Sequence, residues 1–360
     1  MGNRPGTVAL IRAGLDGRGI TSEPAQVEEA LRSLLQPGAP ALPLGAHAPV
    51  EPEAPLVAFR RAEFNIIRNE VHDPVAIPNL RVIPTAVPED LTAWITRVNL
   101  VERLRETRVF YGFDRLDQNT SPLLGMPDSA MRQLFRTPPE QPQNRWLPAV
   151  EVFGEGIYIE LSGDRISRWQ SEQAAWLQAR LSDGFLARLG GILQTLPPLG
   201  AMTRDWASRY LFVHSLAHIL INQLVFECGY STASLRERLY VSTDPAAPMA
   251  GILIYTAAGD SEGTLGGLVR LGRPERLGPV IRRALSRATW CSADPVCSES
   301  LGGQGSRLAN LAACHACVLL PETSCETINH GLDRAMVVGT PTERQRGLMA
   351  TILEEAYLLE

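Results

Sequence analysis

Apolar positions recur at spacings of three and four through residues 203–227, the signature of one long helix, and Gly229 just beyond is a fitting C-cap. The same period over residues 277–290 predicts a helix that delivers Cys291. It also predicts helices over 171–189, 90–106 and, as a short amphipathic piece, 27–35. Extended segments are expected at 80–84 and 86–87. Residues 146–153 and 157–161 read as two strands around a glycine turn, and 234–240 as a short helix or strand. The run Gly-Ile-Leu-Ile-Tyr-Thr at 251–256 reads as a buried strand entering a glycine-rich loop at 259–267. Helical and extended periods interleave, so the expected fold class is mixed α/β (α+β).

Breaks in the pattern suggest four regions. Residues 1–55 are expected to hold one helix and a Pro/Ala-rich linker, and 56–200 a mixed α/β region with a proline-rich excursion at 122–143. Residues 201–345 read as a further domain and 346–360 as a terminal helix. No internal repeat is found, and no run of 18 apolar residues suggests a membrane span. The N-terminal residues lack a secretory apolar segment, so a cytoplasmic location is expected.

Composition changes this picture in one respect. All 34 basic residues are arginine, and the net charge is −5. A surface that is basic all over, as a general nucleic-acid binder needs, is excluded, whereas a local basic face is not. A composition rich in Ala, Gly and Pro with no lysine reflects a GC-rich coding sequence.

Chemistry concentrates in the cysteines. Five of the six lie within 35 residues: Cys291, Cys297, Cys314, Cys317 and Cys325. Cys314-His315-Ala316-Cys317 is a CxxC knuckle, whose two thiolates can share an ion that more distant cysteines complete. Clustered cysteines without a secretory signal point to metal ligation, not disulfides. The expected set is one Zn2+ held by Cys314, Cys317, Cys325 and either Cys291 or Cys297. Such a site is closed and structural. His315 is expected to point away, and Cys228, far upstream, reads as a small core residue.

Three further constellations carry weaker signals. His214 and His218 lie four apart on one helix face. Ser-Leu-Ala between them leaves out the glutamate of a zinc-protease pair. The pair therefore reads first as buried and hydrogen-bonded, with a second metal or a catalytic site as the alternative. The glycine loop matches neither GxGxxG nor GxxxxGK[ST], and without lysine no Walker lysine exists among these 360 residues. Its Asp260 and Glu262 stand where sites often lie but lack a nucleophile or base beside them. Finally, Arg270, Arg273, Arg276, Arg282, Arg283 and Arg287 face Glu275 alone over the same stretch. They are either a phosphate-contacting stripe or a solvated helix face.

The His-Ser-Leu-Ala-His helix, the strand and glycine turn at 254–263, the helix ending in cysteine, the knuckle and Asn329…Leu332-Asp333-Arg334 together form a pattern. It resembles the DUF1998 family of bacterial helicases and their companions, in its zinc-binding MrfA-type version. The segments 251–257, 263–269, 290–297 and 311–317, continuing to Cys325-Glu326, resemble most closely the DrmB family of the DISARM anti-phage systems. That resemblance implies a small C-terminal zinc-binding lobe with four cysteine ligands and no catalytic residues. It also implies a partner, a helicase-like ATPase of the DrmA type, through which the complex meets DNA. The expected function is thus a non-catalytic, zinc-binding helicase companion in antiviral defence. The alternatives are an independent DNA-binding protein, or a hydrolase using Asp260 and Glu262 with His214 and His218.

Overall fold

The computed structural model describes residues 55–110, 146–193, 202–256 and 266–357, with a few isolated positions between them. The chain divides into residues 1–52 and 53–360, and the description below concerns the second unit. The expected helix at 27–35, the excursion at 122–143, and Asp260 and Glu262 lie outside the described residues.

A five-stranded antiparallel sheet forms the frame. Its strands are β1 (Leu80–Thr85), β2 (Ile95–Val109), β3 (Ala149–Leu161), β4 (Leu235–Ser242) and β5 (Met249–Thr256), in the spatial order β1-β2-β3-β5-β4. Alternation along the central strands sends side chains to two cores. Ile157, Ile159, Ile252, Ile254, Leu235 and Leu239 join the larger core, whereas Tyr158, Leu253 and Tyr240 join a smaller one under helix α1 (Pro55–Ile67) with Phe64 and Ile67. Glu237 stands between Leu235 and Leu239 in β4, so the pleat that buries those leucines buries Glu237 with them.

Across the larger core run α2 (Gly163–Glu172), α3 (Ala174–Arg180), α4 (Asp183–Ile192), α5 (Arg204–Cys228), α6 (Gly267–Leu271) and α7 (Pro274–Ala288). Two short helices, α8 (Ala335–Val338) and α9 (Ala350–Tyr357), follow. Helix α5 is the axis of this layer. Thr203 caps its start by accepting from the Trp206 amide, and Gly229 ends it at φ 73° in the left-handed region that glycine tolerates. It is apolar and long enough to cross a membrane by length and composition, unlike what the run-length reading suggested. However, 72% of its most apolar stretch is buried inside the protein. It packs on β4, β5, α7 and α8 and is a core helix.

Several expectations are corrected. Residues 95–109 form strand β2, not a helix. Ile95, Thr96, Val98, Val101, Thr107 and Val109 are β-branched, and the pairing with β3 along nearly its whole length decides the conformation. The two strands expected around a glycine turn are one 13-residue strand, β3. Gly156 is there for close approach: a Cβ on it would lie 2.7 Å from the Ile254 carbonyl oxygen and 2.9 Å from the Tyr255 Cβ. The single helix expected over 171–189 is split into parts of α2, α3 and α4: Gln173 leaves helical geometry between α2 and α3, and Ser182 turns out of it between α3 and α4 to cap α4 at the Phe185 amide. The boundary expected at 200 cuts through one sheet, since β1–β3 come from before it and β4–β5 from after it. The fold class is a mixed helix and antiparallel-sheet architecture, with a cysteine-bearing region at its C-terminal end.

Candidate metal centre

After Leu332 the C-terminal segment is locked onto α3, α5 and α7 by two buried ion pairs. Arg180 reaches Asp333 through Nε–Oδ2 at 2.5 Å and Nη2–Oδ1 at 2.8 Å. Asp333 Oδ1 also accepts from the Ala312 and Ala335 amides, and Ser215 Oγ on α5 accepts from the Asp333 amide at 2.7 Å. Arg334 donates to both Asp294 oxygens at 2.5 Å and to the Ala288 carbonyl at 2.9 Å. Asp294 sits between Cys291 and Cys297, and Ala312 two residues before Cys314. The two arginine–carboxylate forks thus set the loops that carry four cysteines.

Cys291, Cys297, Cys314 and Cys317 come together, their Sγ atoms all within 4.8 Å of one another. The Cys291–Cys314, Cys314–Cys317 and Cys297–Cys317 separations are 3.4, 3.7 and 3.8 Å. These are not disulfide distances, and all six cysteines are free. Four sulfurs at about 2.3 Å from one tetrahedral zinc lie about 3.8 Å apart, so the quartet fits that ion. The sulfurs are also supported as thiolates. The Ala293 amide donates to Cys291 Sγ at 3.4 Å, the Cys314 amide to Cys317 Sγ at 3.2 Å, and Gln304 Nε2 to Cys297 Sγ at 3.7 Å.

Without an ion the crowded quartet cannot lose every proton. Hydrogen bonding from Cys317 lowers the Cys297 thiol to about 5, while the same contact and then burial push Cys317 upward. Burial raises Cys291 to about 11. A divalent cation removes this mutual opposition, because it favours the deprotonated form of every sulfur that touches it.

Cys325 stands elsewhere. Its neighbour Glu326 is tied to Arg60 of α1 at 2.9 Å, to Arg238 of β4 at 2.7 Å and to the Leu239 amide at 3.0 Å. That tether draws Cys325 away from the knuckle, against His214 Nε2 at 3.2 Å. The expected grouping of Cys314, Cys317 and Cys325 around one ion is therefore not the grouping in the structure; Cys291 and Cys297 both join the knuckle instead. His315 is exposed and outside the quartet. Cys228 donates to the Leu224 carbonyl within its own helix.

His214 and His218 are 0% exposed and face Glu237, which is 2% exposed, at 3.0 and 3.5 Å. Burial opposes a charge on either imidazole. The Glu237 carboxylate overrides it, raising His214 well above its usual value and His218 to about 9. Among the described residues both imidazoles are enclosed by protein. Sequence reasoning missed Glu237, Arg180 and the structural use of Asp333 and Arg334. Only the place of Leu332-Asp333-Arg334 in the family-like pattern hinted at the last two.

The expected arginine stripe is divided. Arg282 pairs with Asp90, Arg283 with Glu227 at 2.7 Å, and Arg287 donates to Gln223 and lies over the Phe226 ring. Arg270, Arg273 and Arg276 are exposed and have no side-chain partner among the described residues.

Residues 216–318, which carry Cys291, Cys297, Cys314 and Cys317, match the MrfA Zn-binding domain. The chain is also 36% identical over 260 residues to the DISARM protein DrmB of Bacillus paralicheniformis. That alignment takes in 71% of this chain and 43% of the relative, so the chain spans less than half the length of the protein it matches. The MrfA Zn-binding domain match runs from α5 through the knuckle and stops short of Cys325.

Proposed function

We propose that this chain is a non-catalytic, zinc-stabilised component of a DISARM-type anti-phage defence complex, and that it works with a helicase-like ATPase partner on DNA. The observation that carries the reading is the cysteine quartet inside a stretch that matches a zinc-binding domain, in a chain similar to DrmB over 260 residues. One Zn2+ on Cys291, Cys297, Cys314 and Cys317 closes its tetrahedron with protein sulfur, leaving no position for water or substrate. Its role is to hold the loops after α7 and around the knuckle in one arrangement. Motor activity belongs to the partner, because these residues hold no Walker lysine.

DNA contact is assigned to Arg270, Arg273 and Arg276, which are exposed and have no side-chain partner among the described residues. Arg282, Arg283 and Arg287 are satisfied within the protein. The test is co-purification with a helicase-like ATPase of a DISARM-type system, followed by DNA titration of each alone and of the pair. Replacing Arg270, Arg273 and Arg276 by Glu should weaken DNA binding by the pair and lower the salt slope by roughly 0.7–0.9 per lost contact. Failure to co-purify refutes the companion reading; an unchanged slope assigns DNA contact to the partner.

A further inference from the structure

The second four-residue cluster is built like a ligand shell. His214 and His218 come from successive turns of α5, Glu237 from the pleat of β4, and Cys325 from the segment pinned by Glu326. Their donor atoms all lie within 4.8 Å of one another, and all four residues are buried. Each imidazole is oriented from behind. His214 Nδ1 donates to the Gly331 carbonyl at 2.8 Å, and His218 Nδ1 donates to the Val318 carbonyl at 2.8 Å. Those bonds commit the Nδ1 protons to the backbone, so both Nε2 atoms point at the carboxylate and the sulfur and would be the ligating atoms once an ion replaces their protons. This is the outer-shell arrangement that fixes metal-bound histidines.

Protons alone leave the cluster incomplete. His218 Nε2 stands 3.5 Å from Glu237 Oε1, outside hydrogen-bond geometry, and neither it nor the buried Glu237 Oε2 has a hydrogen-bond partner among the described residues. Orphaned polar atoms at such depth are costly, because nothing replaces the water they have lost. A cation at the centre satisfies both. Charge also balances: one carboxylate and one thiolate neutralise a divalent ion, and two neutral imidazoles complete four ligands. A net-neutral cluster is the form that tolerates full burial.

We propose that His214, His218, Glu237 and Cys325 form a second metal site that takes one divalent transition-metal ion, best suited to Zn2+. The nitrogen, oxygen and sulfur donors and the count of four are those of a closed tetrahedral zinc shell. The site joins α5, β4 and the C-terminal segment, and so is structural. It is separate from the cysteine quartet but touches it through the backbone, because Val318, which orients His218, directly follows Cys317. Residues His214 and Cys325 also lie outside the stretch that matches the zinc-binding domain family.

The test is elemental analysis and zinc-edge X-ray absorption on the 360-residue chain purified without chelator. About two zinc ions per chain are expected, with a mean shell of sulfur to nitrogen and oxygen near five to three. The Glu237→Gln and His218→Asn variants should each lose one ion and leave an all-sulfur shell. The Cys291→Ser variant should retain an ion with a mixed shell. One ion with an all-sulfur shell in the unaltered chain overturns the proposal and leaves His214, His218 and Glu237 as a metal-free ion pair. One ion with a mixed shell supports this site and refutes the zinc on the cysteine quartet. No bound metal refutes both. If neither variant folds, the shell of the unaltered chain decides.

Discussion

Asp333→Asn tests how the cysteine-bearing loops are held. Arg180 and Asp333 form a bidentate pair whose side chains are 4% and 0% exposed. Asparagine keeps the volume and one oxygen, so it can still accept from the Ala312 and Ala335 amides, but it turns an N–H donor toward the Arg180 fork. The arginine is then a buried charge with no counterion, since its other contacts are two long bonds of 3.4 Å to the Ser298 carbonyl and the face of the Trp176 ring. Breaking one side of a buried pair costs about 3–5 kcal/mol. Each kcal/mol corresponds to roughly 2–4 °C in larger domains, so the Tm should fall on the order of 10 °C. The control is Asp183→Asn, which breaks the Arg204–Asp183 pair at a carboxylate that is 95% exposed. That change should cost less than about 1 kcal/mol. Thermal unfolding of both variants, with metal content measured on the same samples, makes the comparison. If Asp333→Asn melts within about 2 °C of the parent, as Asp183→Asn should, the fork is not what holds the loops.

Cys314→Ser should lose the zinc of the quartet or fail to accumulate as soluble protein. Cys228→Ser should keep full metal content and stability, because a serine hydroxyl can make the same bond to the Leu224 carbonyl; metal analysis of the two separates them. Gly156→Ala places a Cβ against the backbone of β5 and should destabilise by about 1–3 kcal/mol in denaturant unfolding, since the obstacle is main chain and not a movable side-chain tip. The isolated chain should show no ATP hydrolysis; turnover that co-elutes with it through two chromatographic steps would refute the non-catalytic reading.

Local signals carried much of the fold. Helix α5 announced itself by its period and its terminal Gly229, and β5 by a run of apolar residues too short for a helix. Strand β2 was misread because its arginine and glutamate positions also satisfy a helical period. Its partner, β3, is a separate and later segment of the chain, and it supplied the decision. The three short helices α2–α4 were merged for a similar reason. A serine inside an apolar period is neutral until its hydroxyl finds an amide to cap.

A thiolate metal site was already implied by residue order: a CxxC knuckle and further nearby cysteines in a chain with one other cysteine admit little else. So was the placing of two histidines on one face of α5. Which cysteine serves which cluster was settled only by packing. Spacing along a loop does not encode where the loop goes, and here the Glu326 ion pairs pull Cys325 to β4 while the Arg334–Asp294 fork brings Cys291 and Cys297 to the knuckle. Glu237 was invisible for the same reason. In sequence it is one charge in an alternating strand, and only the side of β4 that meets α5 makes it a buried carboxylate facing two imidazoles.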